Sequence, residues 1–189
     1  MRKAILKPST RMEADSVAHE IAERLVWAVN TLAIEPSDRL LEIGCGHGAA
    51  VSLICGQLTD GTITALDRSE TMIRAAASRN LGHASAGKAR FHTAELDKAN
   101  WGPERFNKIF AVNVNLFWMK PAKELSIIRT LLLPGGSVYL FNQPPTAGKI
   151  VHIADRTTQN LTAEGFIINQ ILNENLSAGP AVCVIAGIP

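Results

Sequence analysis

The 189-residue chain is poor in cysteine, in net charge and in long apolar runs, and each shortage narrows what it can be. Its three cysteines, Cys45, Cys55 and Cys183, make an odd count without metal-ligand spacing. They argue against a disulfide-built fold, predict no metal site, and read as reduced thiols of a cytoplasmic protein. Cys55 and Cys183 lie in apolar runs, where free cysteine is usually core. Nineteen lysines and arginines face seventeen aspartates and glutamates, a net charge of +2 with no long run of one sign. A phosphate backbone calls for a concentrated basic surface, so no nucleic-acid partner is expected. No apolar run is long enough to cross a bilayer. The basic N-terminus "MRKAILKPSTRMEADS" lacks the apolar stretch of a signal peptide, so no membrane association is expected.

What is present is the balance of a globular chain: 47% hydrophobic and 19% charged residues, enough to bury a core in a single domain spanning 1–189. Strand and helix patterns alternate. "TRMEADSVAHEIAERLVWAVNTLAI" carries Val17, Ile21, Leu25, Ala28 and Leu32 at helical spacing, with Thr10 and Glu13 as a capping box. "RLLEIG", "GTITALD", "ARFHTAEL", "FNKIFAVNV" and "SVYLFN" read as five strands, nearly all apolar, as strands covered on both faces are. Between them lie the helices "GAAVSLICGQL", "SETMIRAAASRNL" with Ser69 as N-cap and Gly82 past its end, and "PAKELSIIRTLL" opened by Pro121. "PGG" at 134–136 is a turn, 148–164 is helical, and "FIINQIL" and "AVCVIAG" close the chain. The connection "NENLSAGP" is too short for a crossover helix, so the last two strands pair antiparallel. The fold expected is α/β, a doubly wound, mostly parallel sheet with helices on both faces.

Gly44, Gly46 and Gly48 stand at alternate positions between the first strand and its helix. A glycine inside an element costs roughly 0.5–1 kcal/mol relative to alanine, so three together call for a reason. A glycine-rich strand-to-helix turn lets the backbone approach a ligand at the C-terminal ends of the strands. A tight turn alone would explain the glycines; Asp67 points to the ligand. It ends the next strand, where a carboxylate can accept hydrogen bonds from a ribose diol. The pair predicts a site for a nucleoside-containing cofactor. Gly44, Gly46 and Ala49 also satisfy the dinucleotide pattern G-x-G-x-x-A. Glu42, in place of an apolar residue at the strand end, and the short chain speak against NAD.

The run Glu42, Gly44, Gly46, Gly48 instead resembles motif I, E-x-G-x-G-x-G, of the class I S-adenosylmethionine-dependent methyltransferases. Asp67, Ser69 and Met72 match that family's D-x-S-x-x-M after strand two. "FNKIFAVNVNLFW" resembles its strand-four region, and "IIRTLLLPGGSVYLF" its helix, turn and fifth strand. The resemblance implies a Rossmann-like seven-stranded sheet of order 3-2-1-4-5-7-6 with the last strand antiparallel. It implies a core at 38–189, an N-terminal helix within 1–35 covering the acceptor site, and S-adenosylmethionine as cofactor with S-adenosylhomocysteine as product. The turn from Gly44 through Cys45 and Gly46 to Gly48 would lie against the cofactor, and Asp67 would hold both ribose hydroxyls. Arg68 and Met72 would pack near the adenine, Met72 alternatively being core. Asn113 would lie near the methionine portion. Glu42 would support the turn or hold the ammonium through water. Many relatives carry an acid at the position of Thr93; here Glu95 or the backbone at Ala94 would meet the adenine amino group.

Methyl transfer from a sulfonium is downhill, so alignment and exclusion of water carry much of the rate, and a base is needed only when the acceptor must lose a proton. The catalytic candidates are His152, just after strand five, and behind it His19, His47 in the glycine turn, His83 and His92; a lone histidine is more often a surface or core residue than a base. Phe117, Trp118 and Met119 either wall an apolar acceptor pocket or, for the two aromatics, belong to the core. "NQPP" at 142–145 is a loop. The expected activity is methyl transfer to a small-molecule acceptor, in a pocket that is open or completed by a second copy in a homodimer. The alternatives are a methyltransferase of protein or RNA, or a catalytically silent cofactor-binding partner subunit.

Overall fold

A computed structural model describes residues 21–189. Its elements are α1 (Glu23–Thr31), β1 (Arg39–Ile43), α2 (Ala49–Cys55), β2 (Thr62–Asp67), α3 (Glu70–Arg79), α4 (Leu81–Ser85), β3 (Ala89–Thr93), β4 (Phe106–Val112), α5 (Leu116–Met119), α6 (Ala122–Leu131), β5 (Leu132–Asn142), a 3-10 turn (Ala147–Lys149), α7 (Ile150–Ala163), β6 (Ile167–Leu176) and β7 (Gly179–Gly187). The seven strands form one sheet in the order β3-β2-β1-β4-β5-β7-β6. All neighbours are parallel up to β5, and β7 runs antiparallel to both β5 and β6. The order and the antiparallel last strand are those expected.

Successive strand residues point to opposite faces, so apolar strands supply two cores. Leu40, Ile63 and Phe110 pack with Ala28, Leu32, Val51, Ile54 and Ile73 of α1, α2 and α3. From the alternate strand positions, Leu41, Leu66 and Ile109 pack with Leu125, Ile128 and Leu161 of α6 and α7 on the other side. The apolar side of α1 is thus committed to the core, where Trp27 meets Phe141 edge-on at 5.3 Å. Glu23 at its start accepts hydrogen bonds from the Ser177 amide and hydroxyl, 2.7 and 2.6 Å. These bonds hold the Glu23 carboxyl below its usual range. The capping box at Thr10 and Glu13, Val17 and His19 lie outside the described residues.

Four local expectations change. Gly82 lies inside α4, and α3 ends at Asn80, whose amide still reaches the Ala76 carbonyl at 3.1 Å. "PGG" interrupts β5 without ending it: β4 advances from Phe106 to Lys108 while β5 advances from Leu132 to Ser137. Gly135 takes φ +77° there, and a Cβ on Gly136 would meet the Asn107 carbonyl at 2.9 Å. The final strands run into "NENLSAGP", leaving Ser177 and Ala178 as the turn. "LFWM" forms the short α5, too brief for a helical period to register.

The start of β1 is fixed by a buried ion pair between Asp38 and Lys108 of β4, with side chains 5% and 13% exposed. The same Asp38 oxygen accepts the Glu35 amide at 2.8 Å. Breaking such a pair strands a buried charge, at a cost of about 3–5 kcal/mol. Lys108→Met is therefore expected to lower unfolding free energy by that order in urea titration. Exposed Lys120→Met, as control, should leave it nearly unchanged.

Candidate functional site

The parallel register sets Ile43 beside Leu66, so β1 and β2 end level and their following residues share one rim. The amides of Gly44 and Cys45 both donate to the Leu66 carbonyl, at 2.8 and 3.0 Å. Asp67 then bridges two segments: Oδ2 accepts the Gly46 amide at 3.0 Å and Oδ1 accepts the Ser69 amide at 2.9 Å. Ser69 caps α3, its hydroxyl accepting the Met72 amide at 3.4 Å. Gly44, Gly46 and Gly48 take φ of +77°, +52° and +74°, a region that L side chains rarely adopt. Their surroundings differ. A Cβ on Gly44 would meet Val114 at 2.8 Å, and one on Gly48 would meet Ala76 and Asn80 at 2.8 Å, but one on Gly46 meets nothing within 4 Å. The middle glycine therefore presents bare backbone to open space.

Beside this turn lies a cavity of about 620 Å³. Gly44, Asp67 and Arg68 wall one side, 94–97 beyond β3 another, and 112–117 beyond β4 a third, with Glu124 of α6. Of the expected residues, Gly44, Asp67, Arg68, Ala94, Glu95 and Asn113 come together there. Asn113 takes φ +57°, tied by its amide to the Phe141 carbonyl at 2.8 Å and by Oδ1 to the Gln143 amide at 2.7 Å. The Ala94 amide is already given to the Asp67 carbonyl at 3.1 Å, and the Glu95 carboxylate pairs with Lys98. Phe117 serves both expected purposes, lining the cavity while 1% exposed.

Other expected residues stand apart. Met72 is 40% exposed, so it is no core residue, and it lies off the cavity wall. His152 is exposed on α7 with its ring 6.5 Å from that of Trp118, and neither residue lines the cavity; Met119 is exposed. No residue of α1 lines it either, because α1 is packed into the core. Among the described residues there is no cluster of metal-ligating side chains, and no helix is long and apolar enough to cross a membrane.

Sequence reasoning missed Asp97, Glu124 and Asn80. Asp97 lines the cavity and is held below its usual range first by its hydrogen bond to Lys123. Its position two residues after Glu95 is the only signal it gave. Asn80 is 1% exposed and gives its amide hydrogens to the carbonyls of Gly48 and Ala76, at 3.0 and 2.9 Å. In the sequence it is indistinguishable from an ordinary helix terminator.

Glu42 lies beneath the turn, 2% exposed, with Oε2 lacking any partner. Burial, and secondarily the charge of Asp67, push its carboxyl up to about 8. Burial and the same two acids push the Cys45 thiol far up, so it is neither a thiolate nor a nucleophile. Between the ordinary glutamate value of 4.5 and about 8, the folded chain holds a proton that the unfolded chain releases. The stability this group contributes is full below that window and is lost as the pH rises through it. Thermal unfolding of the unliganded protein should show it: Glu42→Gln is expected to match the wild type at the acid end and to exceed it increasingly toward the alkaline end.

A family described as a methyltransferase domain matches residues 41–138, over half of the chain. The chain is 25% identical over 167 residues to an uncharacterized methyltransferase, YdaC, of Bacillus subtilis (strain 168), covering 86% of this chain and 90% of that protein. It is 32% identical over 110 residues to trans-aconitate 2-methyltransferase of Escherichia coli O157:H7, covering 57% of this chain but only 40% of that enzyme. The fold matches that of N-methyltransferase NodS of Bradyrhizobium japonicum WM9, solved in complex with S-adenosylhomocysteine, with a TM-score of 0.69 at 15% identity over 90% of each chain. With the sheet order, the glycine turn and Asp67 in place, the chain belongs to the class I S-adenosylmethionine-dependent methyltransferases.

Proposed function

We propose that this chain transfers the methyl group of S-adenosylmethionine to a small-molecule acceptor, chiefly by positioning it, in the cavity beside the glycine turn. The observation that carries the reading is the open backbone at Gly46, next to an Asp67 carboxylate held at its rim by two amides. These features fit the cofactor. Gly46 offers close approach where a side chain would fill the space, and Asp67 keeps lone pairs free for a ribose diol. Gly44, Asp67, Arg68 and Asn113 line the cavity, and Gly46, outside its wall, is hydrogen-bonded to Asp67. Glu42, with an unpaired buried oxygen, gains a partner if an ammonium or a water comes within reach.

The cofactor supplies a methyl group on a sulfonium, activated without help from the protein. The residues of the chain orient it and shield it from water. The trans-aconitate relative supports a small-molecule acceptor, although this chain spans less than half of that enzyme's length. The test of the reading is transfer of radiolabelled methyl to a panel of small metabolites, with protein and RNA fractions in parallel. Label entering only protein or RNA would overturn the small-molecule assignment.

Two substitutions probe the binding surface. Asp67→Ala removes an acceptor of charge-assisted bonds, each worth roughly 1.5–3 kcal/mol. Titration calorimetry should show S-adenosylhomocysteine affinity at least about tenfold weaker. Gly46→Val brings a β-branched side chain to φ +52° and fills the open space, so binding should be lost more completely than in Asp67→Ala. Circular dichroism distinguishes a folded variant that cannot bind from one that does not fold.

A further inference from the structure

The far end of the glycine turn is held by a second clamp. Asn80 uses both amide hydrogens on the carbonyls of Gly48 and Ala76, and its Oδ1 accepts the Ser52 hydroxyl at 2.7 Å. The Gly48 carbonyl also accepts the Ser52 amide at 3.2 Å, and the Ser52 hydroxyl lies 3.3 Å from it. With all its polar atoms engaged and 1% of its surface exposed, the Asn80 amide has one orientation and no water to replace a lost bond. Contact is so close that a Cβ on Gly48 would lie 2.8 Å from Asn80 Nδ2. Asp67 meanwhile grips the turn at Gly46 and the amide of Ser69, which caps the other end of α3. The ten-residue α3 therefore joins two fixed points of one turn: Gly46 through Asp67 before its start, and Gly48 through Asn80 at its end.

Resting on the methyltransferase reading above, we infer that Asn80 is a positioning residue for cofactor binding, acting through Gly48, and that Ser52 orients it. Asn80 lies off the cavity wall, so its effect passes through the turn. A donor lost here leaves the Gly48 carbonyl held by Ser52 alone, a looser hold that is passed to the bare face at Gly46, two residues away.

The test uses Asn80→Asp and Ser52→Ala, with S-adenosylhomocysteine as probe. Asn80→Asp keeps size and the acceptor for Ser52 but sets a carboxylate oxygen against two carbonyls. At about pH 8 its affinity should fall at least about tenfold relative to wild type. It should recover toward wild type near about pH 5.5, as the buried carboxyl takes up a proton and becomes a donor. Ser52→Ala leaves the buried Asn80 Oδ1 without its donor, so its melting temperature should fall despite the higher helix propensity, and affinity measured well below the melting transition should fall about threefold. A merely structural role would lower the melting temperature and leave the affinity of the folded protein unchanged. Wild-type affinity in a folded Asn80→Asp, or a loss that is no more pH-dependent than that of the wild type, overturns the inference. Should Asn80→Asp fail to fold, Ser52→Ala decides: unchanged affinity of the folded protein overturns the inference, and reduced affinity of the folded protein, measured well below its melting transition, supports it. A wild-type chain that does not bind S-adenosylhomocysteine overturns the functional reading as well, which distinguishes the two failures.

Discussion

The two hydrogen bonds of Asp67 are the constraint on which the site depends. One carboxylate joins the amide of Gly46 to the amide of Ser69, and so joins the turn after β1 to the cap of the helix after β2. That bridge is possible only because the two strands end level, with Ile43 beside Leu66. Level ends follow from a parallel register set by buried apolar side chains, in which a slip of one residue would turn every side chain to the wrong face. The ion pair of Asp38 and Lys108 fixes the opposite end of β1. The glycines answer the same constraint: a chain that leaves a strand, bends back over its neighbour and enters a helix within five residues needs positive φ at Gly44, Gly46 and Gly48.

The electrostatics of the rim follow from that geometry. Asp67 must stand at the strand end, and Glu42 lies buried close to it. Burial first, and the neighbouring charge of Asp67 second, favour the protonated form of Glu42. The wall beyond them is also acidic: Glu95, Asp97 and Glu124 face the same space as Arg68, with Glu95 and Asp97 paired to lysines. A wall carrying this many carboxylates suits a positively charged ligand.

The fold was legible because its signals were periodic and redundant: apolar strands, short connections, and a last hairpin too tight for a crossover. The geometry of the candidate site was legible where backbone conformation demanded a residue type, as at Gly44, Gly46 and Gly48, and at the strand end taken by Asp67. It was less legible where a role depends on a side chain arriving from elsewhere in the chain. Asn80 reads as a helix end until its three partners are seen. Glu124 reads as a helix surface until α6 is packed beside the cavity. His152 shows the opposite case: its place after strand five suggested the acceptor site, and the turn at Ala147–Lys149 and α7 carry it to an exposed position near Trp118, off the cavity wall.

The chemistry available at the cavity wall bears on how transfer can proceed. Among the described residues lining it there is no histidine, cysteine, lysine or tyrosine. Its ionisable groups are Asp67, Glu95, Asp97, Glu124 and Arg68. Asp67 is occupied by two amides, and Glu95 and Asp97 are drawn toward lysines. Asp97, held below its usual range first by its hydrogen bond to Lys123, is a weak base for an acceptor whose proton is tightly held. An acceptor that already presents a lone pair needs no such base. Its rate then depends on distance and angle to the methyl group, which rigid clamps at both ends of a glycine turn are built to fix.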